Sequence, residues 1–315
     1  MGIKEKNVIA YSLYGKKTKS VRRHDPLRND NYRYWYNIPI IIIANSEFFK
    51  DSVSKFFVHK NMITKPVFDF LQQISESTDK VEIKILDDSY KDSKPMLWRL
   101  KPLWYKKVKF CFCRDIDSIP EQKEVQSVRF FKQAEEMHVH SMRCHPHHNS
   151  IPIYGGLCGF NAALLRDRRL ITSDYNELVS PTNKFKWGDD QRLLVRYFFS
   201  KRNRKFVSKV LDCPIRYPVF DDHRYMKRFD RPHAPVKRRR DGATYFKSSV
   251  YDNVDISDIN SDVLDICNKI TLWGGQPVDG RDYMNAILEA STEESSIIKS
   301  LFRKNPEMRK FYKVR

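Results

Sequence analysis

The stretch Phe110-Cys111-Phe112-Cys113-Arg114-Asp115-Ile116-Asp117-Ser118 decides the reading of this chain. Val108, Phe110 and Phe112 alternate with Lys109, Cys111 and Cys113, the period of two of a sheet strand with a buried face. At Arg114 the run turns polar. Pro120 and a helix-like segment, Glu121 to Glu136, follow, and Ser118 and Glu121 have the spacing of a capping box. In α/β sheets, ligands gather at the carboxyl ends of strands. Asp115 and Asp117 would project there, and two carboxylates so close repel unless a cation lies between them. Mg²⁺ and ions like it take one or two carboxylates plus substrate phosphate oxygens. Taken without its context, Asp-x-Asp is also a common tripeptide of solvated loops.

Upstream, Asn7 to Tyr14 reads as a first strand ending in Ser12-Leu13-Tyr14-Gly15, where Gly15 permits a sharp turn. Residues 16–34 are basic and polar, a long loop. Asn37 to Asn45 holds Ile38-Pro39-Ile40-Ile41-Ile42-Ile43, which predicts a fully buried parallel strand. Ser46 would then cap a helix to about Val58. A helix from Val67 to Ser75, a strand from Val81 to Leu86 and a helix from Met96 to Trp104, carrying Arg99, come next. Strands alternating with helices predict βαβ units and a mixed, mostly parallel sheet flanked by helices.

Downstream, His138 to Arg143 is a strand candidate. His138, His140, His145, His147 and His148 are five of nine histidines, with Cys144 and Cys158 near them. Their spacing matches no zinc-finger pattern, so a loop over the active site is the better reading. There His145, His147 or His148 could touch a phosphate or an acceptor hydroxyl. Tyr154-Gly155-Gly156-Leu157-Cys158-Gly159 is dense in glycine, which lets backbone approach a ligand, or is a plain turn. It is neither GxGxxG nor a P-loop. Asn161 to Arg168 reads as a short helix. Trp187-Gly188-Asp189-Asp190-Gln191 precedes an apolar helix, Arg192 to Ser200. One acid there can cap the helix and its neighbour can act as general base; Asp189 fits the cap and Asp190 the base. Leu211 to Tyr217 is a last strand.

These motifs, with Met96-Leu97-Trp98-Arg99-Leu100, Met142-Arg143 and His145-Pro146-His147-His148, stand in an order that resembles a group of GT-A-fold glycosyltransferases of large DNA viruses, including chloroviruses, and of some bacteria. The resemblance covers roughly residues 7–225. It implies a GT-A, Rossmann-like domain over residues 1–226. It also implies a nucleotide-diphospho sugar donor of UDP or GDP type, held with Mn²⁺ or Mg²⁺. Asp115 and Asp117 would bind the metal, and Ser12, Tyr14, Gly15, Arg99, Arg114 and Asp115 would lie against the donor. His148, Gly155 and Gly156 would line the acceptor side, with Asp190 and Asp189 as the catalytic acids. His223 could lie by the metal. The acceptor would be a glycan or glycoprotein, which in chloroviruses means capsid-protein glycans. Residues 227–255, with Lys237-Arg238-Arg239-Arg240, read as a basic linker or loop. Residues 256–315 read as a C-terminal helical appendage.

Composition sets bounds on these readings. The chain has 315 residues, 41% hydrophobic, enough for one large α/β domain with an appendage. Its net charge of +19 suggests an anionic partner: nucleic acid, a membrane surface or a phosphate-rich ligand. Six cysteines without a CxxC pair, and an N-terminus without a signal-peptide core, fit a reduced, cytoplasmic protein, in the host cytoplasm if viral. No apolar run reaches about eighteen residues, so no membrane span is expected. Two rivals remain: a basic nucleic-acid-binding protein and a metal-dependent phosphodiesterase using the same Asp pair. The basic residues are spread through the chain without an RRM, KH or zinc-finger signature, so no specific nucleic acid is expected.

Overall fold

The computed structural model describes residues 5–14, 35, 37–59, 63–86, 95–116, 118–134, 136–142, 153–179, 189–199, 209–213, 244–245, 253–271, 281–312 and 314. The architecture is α/β, with helices on a mixed, mostly parallel sheet. The chain divides into two compact units. One comprises Met1–Val8, Asp92–Arg114 and Gln122–Ser257; the other comprises Ile9–Lys91, Asp115–Glu121 and Asp258–Arg315.

In the second unit, β1 (Lys6–Leu13), which starts in the first, β2 (Ser52–His59) and β3 (Val81–Leu86) stand in the order β3-β2-β1. β2 and β3 are parallel, with Phe56 opposite Ile83. The isoleucine run is not the expected strand. It lies in α1 (Asn37–Phe48), whose residues are buried except Glu47. The strand is the following segment, β2, where a helix was expected. A continuous apolar run reads equally as buried strand or buried helix, and burial on all sides removes the helical stripe that would tell them apart. Ser46 does not cap a helix; its hydroxyl donates to the Ile43 carbonyl within α1, at 2.9 Å. Asn45 Nδ2 donates to Tyr11 Oη and to Ser54 Oγ, each at 2.9 Å, which ties α1 to β1 and β2.

α2 (Lys65–Ser77) contains the helix expected from Val67 to Ser75 and buries Val67, Phe70, Leu71 and Ile74 at i, i+3, i+4 and i+7. Among the described residues this unit also holds α7 (Ser261–Thr271), α8 (Arg281–Glu289), α9 (Glu293–Lys304) and α10 (Pro306–Tyr312). Thr292 caps α9 through the Ser295 N–H. Pro306 stops α9 and opens α10, where its missing N–H costs nothing. The sequence divides the chain at residue 226 and sets 256–315 apart. The fold instead packs α7, α8 and α9 on α1, and α9 and α10 on α2. Phe70 has its ring centroid 5.7 Å from Phe302 and 5.4 Å from Tyr312. These helices cover apolar faces that residues 9–91 cannot bury alone.

In the first unit the strand order is β4-β6-β5-β7-β8: β4 (Val108–Arg114), β6 (Leu157–Asn161), β5 (Val139–Met142), β7 (Lys209–Cys213) and β8 (Thr244–Tyr245). β6 runs antiparallel to β4 and β5, while β5, β7 and β8 run parallel. The helices here are α3 (Gln122–Gln133), α4 (Ala162–Asp167), α5 (Tyr175–Val179) and α6 (Asp189–Phe199). α3 starts after Glu121, so Ser118 and Glu121 do not form the capping box; the Ser118 N–H closes a turn on the Asp115 carbonyl at 3.1 Å. Pro95–Trp104 is a 3₁₀ helix rather than an α-helix, with Pro102 inside it. Gly159 stands opposite Phe112 and His140, and a Cβ there would lie 2.5 Å from the Phe112 ring. That glycine serves strand packing. No described helix is long and apolar enough to cross a membrane.

Candidate active site

The first unit gathers four of the candidate residues, Arg99, Arg114, Gly155 and Asp190, around the carboxyl end of β4. Arg99 comes from the 3₁₀ helix that packs on β4 and is 5% exposed. Its Nη2 donates to Asp190 Oδ2 at 2.9 Å, and its Nη1 donates to the Arg114 carbonyl at 3.3 Å. Asp190 is the second residue of α6, and its side chain is as buried as that of Arg99. α6 starts at Asp189, so both acids lie in its first turn rather than ahead of it. Gly155 belongs to the turn before β6. A Cβ there would collide with Asp190 Oδ2 and lie 2.9 Å from Arg99 Nη2. Glycine is thus required because the backbone closes directly on a charge pair.

Arg114 takes part in a second buried ion pair, with Glu124 in the first turn of α3. Ser127 Oγ lies 2.9 Å from the Glu124 carbonyl and 2.9 Å from His140 Nε2. Burial, and then the Arg114 charge, push the His140 pKa down to about 3, so this imidazole is neutral. Three thiols line the same wall. Cys113 donates to the Arg99 carbonyl at 3.3 Å, Cys111 to the same carbonyl at 3.8 Å, and Cys158 to the Gly155 carbonyl at 3.8 Å. Burial, reinforced by the Cys113 thiol, raises the pKa of Cys111 and Cys158 well above the usual thiol value. They are packing groups, not nucleophiles.

The arrangement changes the chemistry expected of two residues. Asp190, expected to take a proton, is already engaged in a buried ion pair with Arg99. Arg114, expected against the donor, has a buried carboxylate as its neighbour. Sequence reasoning did not single out Glu124. An acid in a helix's first turn reads as a partner for the helix dipole, and only its burial, at 5% exposure, marks it.

Asp115, the first residue beyond β4, is exposed, in contrast to Arg114 before it. Gly156 is buried beside Gly155 in the turn before β6. In the second unit, Ser12 ends β1 with Leu13, and Tyr14 follows; both candidates are partly exposed. Asp117, Gly15, His148 and His223 lie outside the described residues, as do residues 214–243, and nothing is assigned to the Asp189 side chain. Among the described residues no three His, Cys, Asp or Glu side chains group as a metal site. The donor chemistry still suits a hard cation: an exposed carboxylate oxygen at a strand end is what Mg²⁺ or Mn²⁺ takes alongside substrate phosphates. No family model, curated protein or solved structure matches the chain.

Proposed function

We propose that the protein is a metal-dependent glycosyltransferase that moves a sugar from a nucleotide-diphospho sugar, of UDP or GDP type, to a glycan or glycoprotein acceptor. One observation carries the reading: an exposed carboxylate, Asp115, directly follows a buried strand whose last residue, Arg114, is fixed by a buried ion pair. Asp115, with Asp117 two residues on, would hold Mn²⁺ or Mg²⁺. When bound, the ion would stabilise the negative charge that develops on the leaving nucleoside diphosphate.

The chain's own residues do the rest. Arg99 holds Asp190 and the Arg114 carbonyl together, which fixes the strand end and the Gly155 turn in one arrangement. Asp190 keeps the Arg99 guanidinium compensated in a buried setting, where an unpaired charge would be costly. A carboxylate would take the acceptor's proton if the reaction inverts the anomeric centre.

The test is a panel of nucleotide sugars with Mn²⁺, read first as a shift in melting temperature and then as sugar release or transfer. A donor that stabilises the protein only with the metal, and is turned over, supports the proposal. Stabilisation by DNA or RNA alone, or cleavage of a phosphodiester without sugar release, would replace it with one of the two rivals.

A further inference from the structure

We propose that Glu124 is a positioning residue for the segment Asp115–Glu121, acting through Arg114 to fix the point at which Asp115 leaves the strand. The inference rests on the reading that Asp115 helps to hold a divalent cation. Arg114 is the last residue of β4 and Glu124 the third of α3. Their ion pair therefore joins the two ends of the segment that carries the acids. Holding the flanks of a short segment together lowers the number of conformations open to it.

The pair is deeply buried, with side-chain exposures of 3% and 7%. A buried ion pair is a poor source of stability, since an apolar pair of similar size often does as well. What the ion pair adds is position: it holds the last residue of β4 against the first turn of α3. The surroundings hold both partners in place. The Arg114 carbonyl accepts from Arg99 Nη1, and the Glu124 carbonyl lies 2.9 Å from Ser127 Oγ. Beyond the pair, the Ser118 N–H closes a turn on the Asp115 carbonyl. Groups that orient a metal ligand without touching the metal are typically worth 10- to 100-fold in metal affinity.

The experiment uses the full chain without donor. Mn²⁺ binding is titrated by electron paramagnetic resonance, and hydrogen exchange is followed over residues 115–121. Glu124→Gln should weaken Mn²⁺ binding about 10-fold or more and speed exchange in the segment. Because this variant leaves Arg114 buried beside a neutral group and could fail to fold, the double replacement Arg114→Met with Glu124→Leu is measured too. It should melt near the wild-type temperature yet keep the weak Mn²⁺ binding and the fast exchange. A double variant that regains stability, Mn²⁺ affinity and slow exchange together would reduce the pair to a structural contact and overturn the inference. A wild type that binds no Mn²⁺ would sink the metal reading itself. The exchange contrast needs no metal and would still decide whether Glu124 holds the segment.

Discussion

Arg99 Nη2 and Asp190 Oδ2 meet at 2.9 Å across 91 residues of chain, with both side chains almost wholly out of water. This pair welds the start of α6 to the 3₁₀ helix. Removing one partner leaves the other charge buried and uncompensated, which typically costs 3–5 kcal/mol, roughly, whereas an apolar pair is often tolerated. Asp190→Ala and Arg99→Met should each lower the melting temperature markedly, and Arg99→Met with Asp190→Leu should recover much of the loss. Thermal melts of the three variants check this. An Asp190→Ala protein that melts like wild type but turns over slowly would return Asp190 to the role of base.

Gly155 depends on the same pair. A methyl group at Gly155 has no space, because Asp190 Oδ2 and Arg99 Nη2 already occupy it. Gly155→Ala should therefore cost ~1–3 kcal/mol, the usual scale of overpacking. Combined with Asp190→Ala, which vacates the space, the substitution should cost far less than it does alone. Additive losses in urea melts of the single and double variants would separate the glycine from the ion pair.

Local pattern made part of this legible. The alternation over Val108 to Phe112 located β4, the helix expected from Val67 to Ser75 is α2, and Pro306 marks the end of α9. The exchange of helix and strand between residues 37 and 59 was not legible. The isoleucines are buried on every side, and Phe56 and Phe57 hid the Ser52-Val53-Ser54-Lys55 alternation of β2. Arg99, Asp190 and Gly155 each drew notice for local reasons, but their meeting is a property of the fold. Neither spacing nor composition pairs residues 99 and 190. Glu124 was hidden for a similar reason: Gln122 and Lys123 beside it make the turn look solvated.

His140 predicts a specific response to acid. Its pKa is about 3 in the folded protein, against an ordinary value of 6.5, because burial and the Arg114 charge both oppose protonation. The unfolded chain therefore binds a proton that the folded one refuses at any pH between these values. Stability is complete above pH 6.5 and falls as the pH drops from there toward 3. Two units of pH below 6.5 correspond to roughly 3 kcal/mol for one such group. His140→Gln should flatten this part of the pH–stability curve. Equal slopes for wild type and variant between pH 6.5 and 4.5 would show that the acid response arises elsewhere.

The metal reading makes the last prediction. Asp115 is exposed, whereas Arg99 and Arg114 are buried. Asp115→Asn should fold and melt close to wild type, because a near-isosteric change at an exposed position usually alters stability little. Sugar transfer should nevertheless fall by ~10²-fold or more, the scale of losing one strong electrostatic stabiliser of developing charge. EDTA should abolish transfer in the wild type, and added Mn²⁺ or Mg²⁺ should restore it. Asp117→Asn should behave in the same way. The net charge of +19 supplies the control. Binding of duplex DNA driven by that charge alone should collapse with added salt and ignore sequence, and it should not change in Asp115→Asn. An Asp115→Asn enzyme that keeps full transfer activity in EDTA would end the case for a metal at this strand end.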